Sequence, residues 1–159
     1  MASIRQVYEN VSKVNFETVV SETIKSKEDD MIFLNVNQMQ EGEGADNREL
    51  RNTNKNYKGV YKPLTSEIAE QSNTVLPKRV GELYNFGWTG EFLSNFKMDV
   101  DKKQYNIFST GTGGDGKKSF FDGFKNLYGL NKESRQKLVE EKGLRKALIT
   151  NYGKATKLL

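Results

Sequence analysis

Phe96-Lys97-Met98-Asp99-Val100-Asp101 alternates apolar and polar residues, and Gln104-Tyr105-Asn106-Ile107-Phe108-Ser109 follows it after Lys102-Lys103. Strict alternation places Phe96, Met98 and Val100 on one side of a strand and Lys97 and Asp99 on the other, because successive side chains of a strand point to opposite faces. Two such runs separated by a short charged link predict an antiparallel hairpin near 95–110 with one face in water. Everything around that hairpin has the spacing of helices or the composition of loops. The expected class is therefore α+β: a long N-terminal helix, a small antiparallel sheet and C-terminal helices.

Upstream, Ile4, Val7, Val11 and Val14, then Phe16, Val20 and Ile24, recur at helical spacing with a change of phase near Asn15. One long helix from Ile4 to Lys27, kinked near that change of phase, is expected. Its valines are β-branched and lower its intrinsic helix propensity, so packing against another surface must hold it. Met31-Ile32-Phe33-Leu34 is a short apolar run that reads as a strand or a buried turn. From Gln38 to Lys62 the chain is rich in Gly, Asn, Glu and Lys and shows no sustained period, which predicts a long surface loop over about 38–63. Thr65 or Ser66 offers an N-cap for a short helix through Ile68 and Ala69, closed by Pro77.

Downstream, a glycine-rich turn from Gly111 to Gly116 leads into Phe120, Phe121, Phe124, Leu127 and Tyr128, whose spacing fits one face of a helix. Asn131 is the expected cap of a further helix, with Glu133 in its first turn, Leu138 and Val139 facing inward, and Gly143 as its stop. The last stretch, Leu144 to Leu159, is basic and weakly amphipathic. One domain over 1–150 and a basic, fraying tail over 151–159 follow.

Composition narrows the chemistry. The 159 residues suffice for one domain with a core of its own. They contain no His and no Cys. Ser-His and Cys-His nucleophiles are thereby excluded, as are thiolate metal sites and disulfides. A Ser-Lys pair stays open. The apolar share of 35% beside 29% charged residues is low for a globular domain, so neighbouring subunits are expected to complete the burial. No window approaches the roughly 20 apolar residues of a bilayer span, and no leader segment is read at the N-terminus; a cytosolic protein without membrane contact is expected. The net charge of +4 is uneven: residues 117–159 hold eleven Lys/Arg against four Asp/Glu.

Three motifs approach known chemistry and fall short. Gly111-Thr112-Gly113-Gly114-Asp115-Gly116-Lys117-Lys118-Ser119 approaches a phosphate-cradling loop, but Lys118 stands where a magnesium-binding hydroxyl belongs and Asp115 puts a negative charge inside the cradle. Glu41 to Asp46 is acidic, yet Asn52 occupies the place of a closing calcium ligand. Glu82 and Glu91 flank Tyr84-Asn85-Phe86-Gly87-Trp88 and are the one candidate pair for glycoside chemistry. No catalytic, metal-binding or cofactor-binding residue is assigned, and a non-enzymatic protein without cofactors is expected. Interleaved Lys117, Lys118 and Lys125 with the nearby phenylalanines leave contact with DNA phosphates as the alternative.

Leu34-Asn35-Val36-Asn37-Gln38-Met39-Gln40-Glu41-Gly42, Trp88-Thr89-Gly90-Glu91-Phe92-Leu93-Ser94-Asn95-Phe96 and Tyr128-Gly129-Leu130-Asn131 occur in this order. Together they resemble the small structural proteins of tailed bacteriophages, particularly those infecting Bacteroidetes, and more distantly minor head and tail-completion proteins. The resemblance implies an α+β head-tail connector, tail-completion or minor tail subunit of the virion, assembled in the host cytoplasm. It implies homo-oligomeric rings and docking onto portal, connector or tail subunits. Residue by residue it implies that Thr89 caps or turns the chain, Gly90 permits a tight backbone, and Phe92 and Phe96 anchor a helix-to-strand junction. The Asn-rich loop, the aromatic segment and the basic tail depart from the wider completion-protein pattern.

Overall fold

The computed structural model describes residues 3–53, 60–101, 104–111 and 118–157. It is an α+β protein in which helices and irregular chain surround one two-stranded sheet. Strands β1 (Phe96–Val100) and β2 (Tyr105–Ser109) pair antiparallel with Met98 opposite Ile107. Phe96, Met98 and Ile107 are buried while Lys97 and Asp99 are exposed, as alternation requires. The link at Lys102-Lys103 lies outside the described residues.

The N-terminal helix is two helices. Helix α1 (Ile4–Lys13) opens with a capping box in which Ser3 Oγ accepts from the Gln6 amide at 3.3 Å and Gln6 Oε1 accepts from the Ser3 amide at 2.9 Å. Val14 and Asn15 are extended, and Asn15 Oδ1 caps α2 (Phe16–Lys25) by accepting from the Thr18 amide at 3.2 Å. The change of phase in the apolar spacing is thus a break with its own cap, which outcompetes one continued turn of helix.

Met31-Ile32-Phe33-Leu34 is neither strand nor turn but the middle of α3 (Glu28–Gln40), whose first turn carries Glu28, Asp29 and Asp30 where the helix dipole favours anions. Met31, Leu34, Asn35, Gln38 and Met39 are its buried stripe. The expected surface loop after Gln38 is likewise partly core. Leu50 and Asn52 are buried, and Glu43 and Glu49 form an isolated antiparallel bridge. Residues 54–59 of that stretch lie outside the described residues.

Helix α4 (Pro63–Gln71) starts at its proline, not at Thr65 or Ser66; Pro needs no amide partner in a first turn. Gly90, at φ +80°, introduces the single turn α5 (Glu91–Ser94), which leads into β1. The aromatic segment is helical only over α6 (Lys118–Phe121) and then turns. Helical spacing is therefore met without a long helix, because Gly123 and Gly129 release the chain into bonds with other elements: the Thr53 amide donates to Gly123 O at 2.9 Å. A Cβ at Gly123 would lie 1.9 Å from Asn52 Oδ1, itself held because Asn52 Nδ2 donates to Phe120 O at 2.8 Å. Gly123→Ala is expected to destabilise the protein by about 2 kcal/mol in urea unfolding, the cost of forcing atoms into a filled site.

Asn131 caps α7 (Lys132–Glu140) by accepting from the Ser134 amide at 2.8 Å. Leu138 faces inward, but Val139 does not; it is 40% exposed. Gly143, at φ +68°, separates α7 from α8 (Leu144–Ala155). The segment expected to fray from residue 151 is helical through Ala155 and packed on α2. Asn151 Nδ2 donates to Thr23 Oγ1 at 2.9 Å, and Tyr152 meets Phe16 edge-on at 5.9 Å. The core gathers Met31, Leu34, Met39, Phe86, Phe92, Phe96, Phe124, Leu127 and Leu138 beneath the sheet and α3.

Candidate functional site

Of the residues singled out between Thr89 and Phe96, the aromatic ones lie inside. Phe92 is 2% exposed, stacks face to face on Phe121 at 3.9 Å and meets Phe96 edge-on at 5.3 Å. Ser109 Oγ donates to Phe92 O at 2.7 Å, joining α5 to the end of β2. Gly90 supplies the left-handed backbone of the junction, and Thr89 Oγ1 accepts from the Glu91 amide at 3.4 Å. Lys125 is exposed in the turn after α6. Lys118 begins α6, but its side chain, together with Lys117 and most of the glycine-rich turn, lies outside the described residues.

The acidic loop after α3 is tied down by its own carboxylates. Glu43 Oε2 accepts from Asn131 Nδ2 at 2.8 Å, and Asp46 Oδ2 from Asn126 Nδ2 at 2.6 Å. Among the described residues no cluster of acidic side chains has the arrangement of a metal site. Glu82 and Glu91 are both exposed, and Glu82 pairs with Arg79 at 3.4 Å.

Two amides of α3 organise the segment after the aromatic turns. Asn35 Nδ2 donates to Leu127 O at 3.2 Å while its Oδ1 accepts from the Gly129 amide at 3.2 Å. Gln38 Nε2 donates to Gly129 O at 2.6 Å and its Oε1 accepts from the Asn131 amide at 2.9 Å. One turn apart on the helix, these side chains bond the main chain of 127–131 as a neighbouring strand would. Two of the segments quoted for the phage resemblance, Leu34–Gly42 and Tyr128–Asn131, therefore meet in one buried polar clamp.

Sequence reasoning missed Lys78, which is 4% exposed at the centre of the irregular chain between α4 and α5. Its ammonium donates to Leu76 O at 2.9 Å and to Asn85 Oδ1 at 2.5 Å, and lies 5.7 Å from the centre of the Tyr61 ring. Ser66 stands beside it, in a cavity of about 450 Å³ that Lys78 also lines. The hydroxyl, however, donates to the Lys78 carbonyl rather than engaging the ammonium. The pair thus pins a loop; Asn85 also accepts from the Gly87 amide at 3.3 Å and aims Phe86, at φ +58°, into the core. A lysine gives no signal of burial by itself, since burial here depends on contacts with Tyr61 and α4 that are distant in sequence.

Burial lowers the Lys78 ammonium to about pKa 8 and raises the Tyr61 phenol to about 12. From about pH 8 to 10 the folded chain gives up a proton at Lys78 that the unfolded chain keeps, so stability rises with pH. Above about pH 10 the sign reverses, because unfolded tyrosine ionises while Tyr61 stays protonated. The expected result is a stability maximum near pH 10. Urea midpoints between pH 7 and 11 check it, and Lys78→Met is expected to flatten the rise.

Helix α1 departs from a closed surface. None of its ten residues is buried; Ile4 is 91% and Tyr8 73% exposed. Ile4, Val7, Tyr8 and Val11 share one side, on which Val7 and Val11 are half-buried, and the charges of Arg5 and Glu9 pair with each other at 3.0 Å. Phe16 at the start of α2 and Leu64 with Ile68 on α4 add further exposed apolar side chains. Among the described residues no helix is long and apolar enough to cross a membrane. Compared with family models, curated proteins and solved structures, the chain matches none.

Proposed function

We propose that this chain is a structural subunit of a tailed-phage particle, at the neck, in tail completion or associated with the tail. It acts by docking onto other protein subunits and assembles in several copies. The observation that carries the reading is α1, an amphipathic helix with a regular apolar side and no buried residue. Val7 and Val11 are half-buried, but Ile4 and Tyr8 stand in water beside them, and an exposed apolar patch on a helix suits a surface that another subunit covers. The ordered resemblance segments support the same reading, since two of them form the clamp that holds α3 against the chain leading into α7. Negative-stain images of the chain mixed with candidate portal, connector and tail proteins test it. Rings or decorated partners are expected; a monomer that joins none of them overturns it.

Charge on α8 favours a second reading. Arg145, Lys146, Lys154 and Lys157 are exposed at or just beyond this helix, a set that suits DNA phosphates. Such contact predicts affinity for duplex DNA that falls about tenfold or more between 50 and 200 mM salt as counterions are released. Binding that is absent at low salt removes this reading.

A further inference from the structure

Lys78 and Asn85 face each other across a segment folded back on itself. Main-chain bonds from the Val75 amide to Trp88 O at 3.1 Å and from the Leu76 amide to Gly87 O at 3.0 Å run its two limbs in opposite directions. Asn85 Nδ2 donates to Pro77 O at 2.8 Å, which fixes the carboxamide beside Lys78. Tyr61 lies against the turn between the limbs: its amide donates to Glu82 O at 2.9 Å, and its carbonyl accepts from the Gly81 amide at 3.0 Å.

Three donors converge on Asn85 Oδ1, namely Lys78 Nζ at 2.5 Å, the Tyr61 hydroxyl at 3.2 Å and the Gly87 amide at 3.3 Å. The Tyr61 oxygen also accepts from the Asn85 amide at 3.2 Å, so its own proton is committed to Oδ1. An amide oxygen has two lone pairs, and a lysine present only as a tie would compete with the other two donors for them. Donors on a carbonyl oxygen also make its carbon electrophilic and hold the charge that develops when an amine adds to it. The amine is already there. Among the described residues no carboxylate pairs with Lys78; Glu82, in the turn nearby, is exposed and pairs with Arg79 at 3.4 Å instead. Burial without a counter-ion favours the neutral amine, which is the nucleophilic form.

The geometry points to an isopeptide bond that this chain closes by itself between Lys78 Nζ and Asn85 Cγ. The unprotonated Nζ adds to Cγ, Oδ1 carries the negative charge beneath the Tyr61 hydroxyl and the Gly87 amide, and the Cγ–Nδ2 bond then breaks. One proton leaves Nζ and one is taken up by Nδ2, so ammonia departs and a secondary amide remains. No oxidant or cofactor enters the balance. Until the bond closes, Lys78 titrates as a free amine. Once closed, it fastens together both limbs of the turn that aims Phe86 into the core, a covalent tie in a chain without cysteine.

Mass spectrometry of the full chain tests it. Protein held folded at pH 8, where about half of the Lys78 amine is neutral, is expected to become lighter by one ammonia. Trypsin cuts after Lys58, Arg79 and Lys97 but not at Lys62, which precedes Pro63, so residues 59–79 and 80–97 ordinarily separate. The bond keeps these two peptides joined, and fragmentation places the link at Lys78 and Asn85. Tyr61→Phe is expected to slow closure about tenfold or more by removing one donor from Oδ1, and Lys78→Arg to abolish it. The native chain is read directly, so neither variant has to fold for the test to decide. A native chain that keeps its full mass after a week, or one that loses ammonia as a succinimide without joining the two peptides, overturns the inference.

Discussion

Asn35→Leu is expected to destabilise the protein by about 4 kcal/mol, although the two side chains are close in size. Asn35 is fully buried and serves two main-chain groups at once, the Leu127 carbonyl and the Gly129 amide. Leucine satisfies neither. Each buried polar group left without a partner costs about 1–3 kcal/mol, more than the net gain from making the bond. The loss is a large fraction of the roughly 5–15 kcal/mol that holds a domain folded. Asn37, two residues on and only partly buried, provides the control: Asn37→Leu is expected to shift stability by less than about 0.5 kcal/mol. Urea unfolding monitored by circular dichroism distinguishes them. Equal effects at both positions would show that the clamp does not hold α3 to the 127–131 segment.

Phe92→Ala is expected to cost a similar amount, about 4 kcal/mol, through a cavity. The Phe92 ring stacks on Phe121, meets Phe96 edge-on, and has Phe86 at 5.9 Å. No neighbour can fill the space without giving up its own contact, so the site collapses poorly. Phe92→Leu keeps most of the volume and is expected to cost about 1.5 kcal/mol. The ordering of the two variants, read from urea midpoints, separates lost packing from any disturbance of the Gly90 turn, which both variants leave intact.

Parts of this architecture are legible in the sequence because one physical period dominates them. The hairpin is one: Phe96, Met98 and Ile107 face the core, and the alternation of β1 is unbroken. Asn131 is another, because its cap is made locally with Ser134. Helix α3 is hidden for the opposite reason. Asn35 and Gln38 occupy two places in its buried stripe, so polar residues interrupt the apolar period. Their partners lie more than ninety residues away, where no local rule reaches. The aromatic segment misleads because Phe120, Phe121, Phe124 and Leu127 satisfy helical spacing while Gly123 and Gly129 bend the chain to meet Asn52 and Asn35.

The candidate surface is legible only in part. The apolar spacing of α1 is visible, and so is its need for a covering surface, but its separation from α2 depends on the Asn15 cap. Thr89 to Phe96 draws attention for its order of residues, and its aromatic members build the interior. Lys78 gives no sign at all, because its burial is created by Tyr61, Asn85 and the end of α4 converging around it.

Helix α1 contributes no residue to the folded core and is proposed as a docking face. Its most direct test is native mass spectrometry of the chain mixed with portal, connector and tail proteins, comparing the native sequence with Ile4→Ser/Tyr8→Ser. The native chain is expected to give a multi-copy assembly that the variant loses, with unfolding free energies that agree within about 0.5 kcal/mol when both are monomeric. A variant that assembles as well as the native chain, or a native chain that remains a lone monomer with every partner, would contradict it.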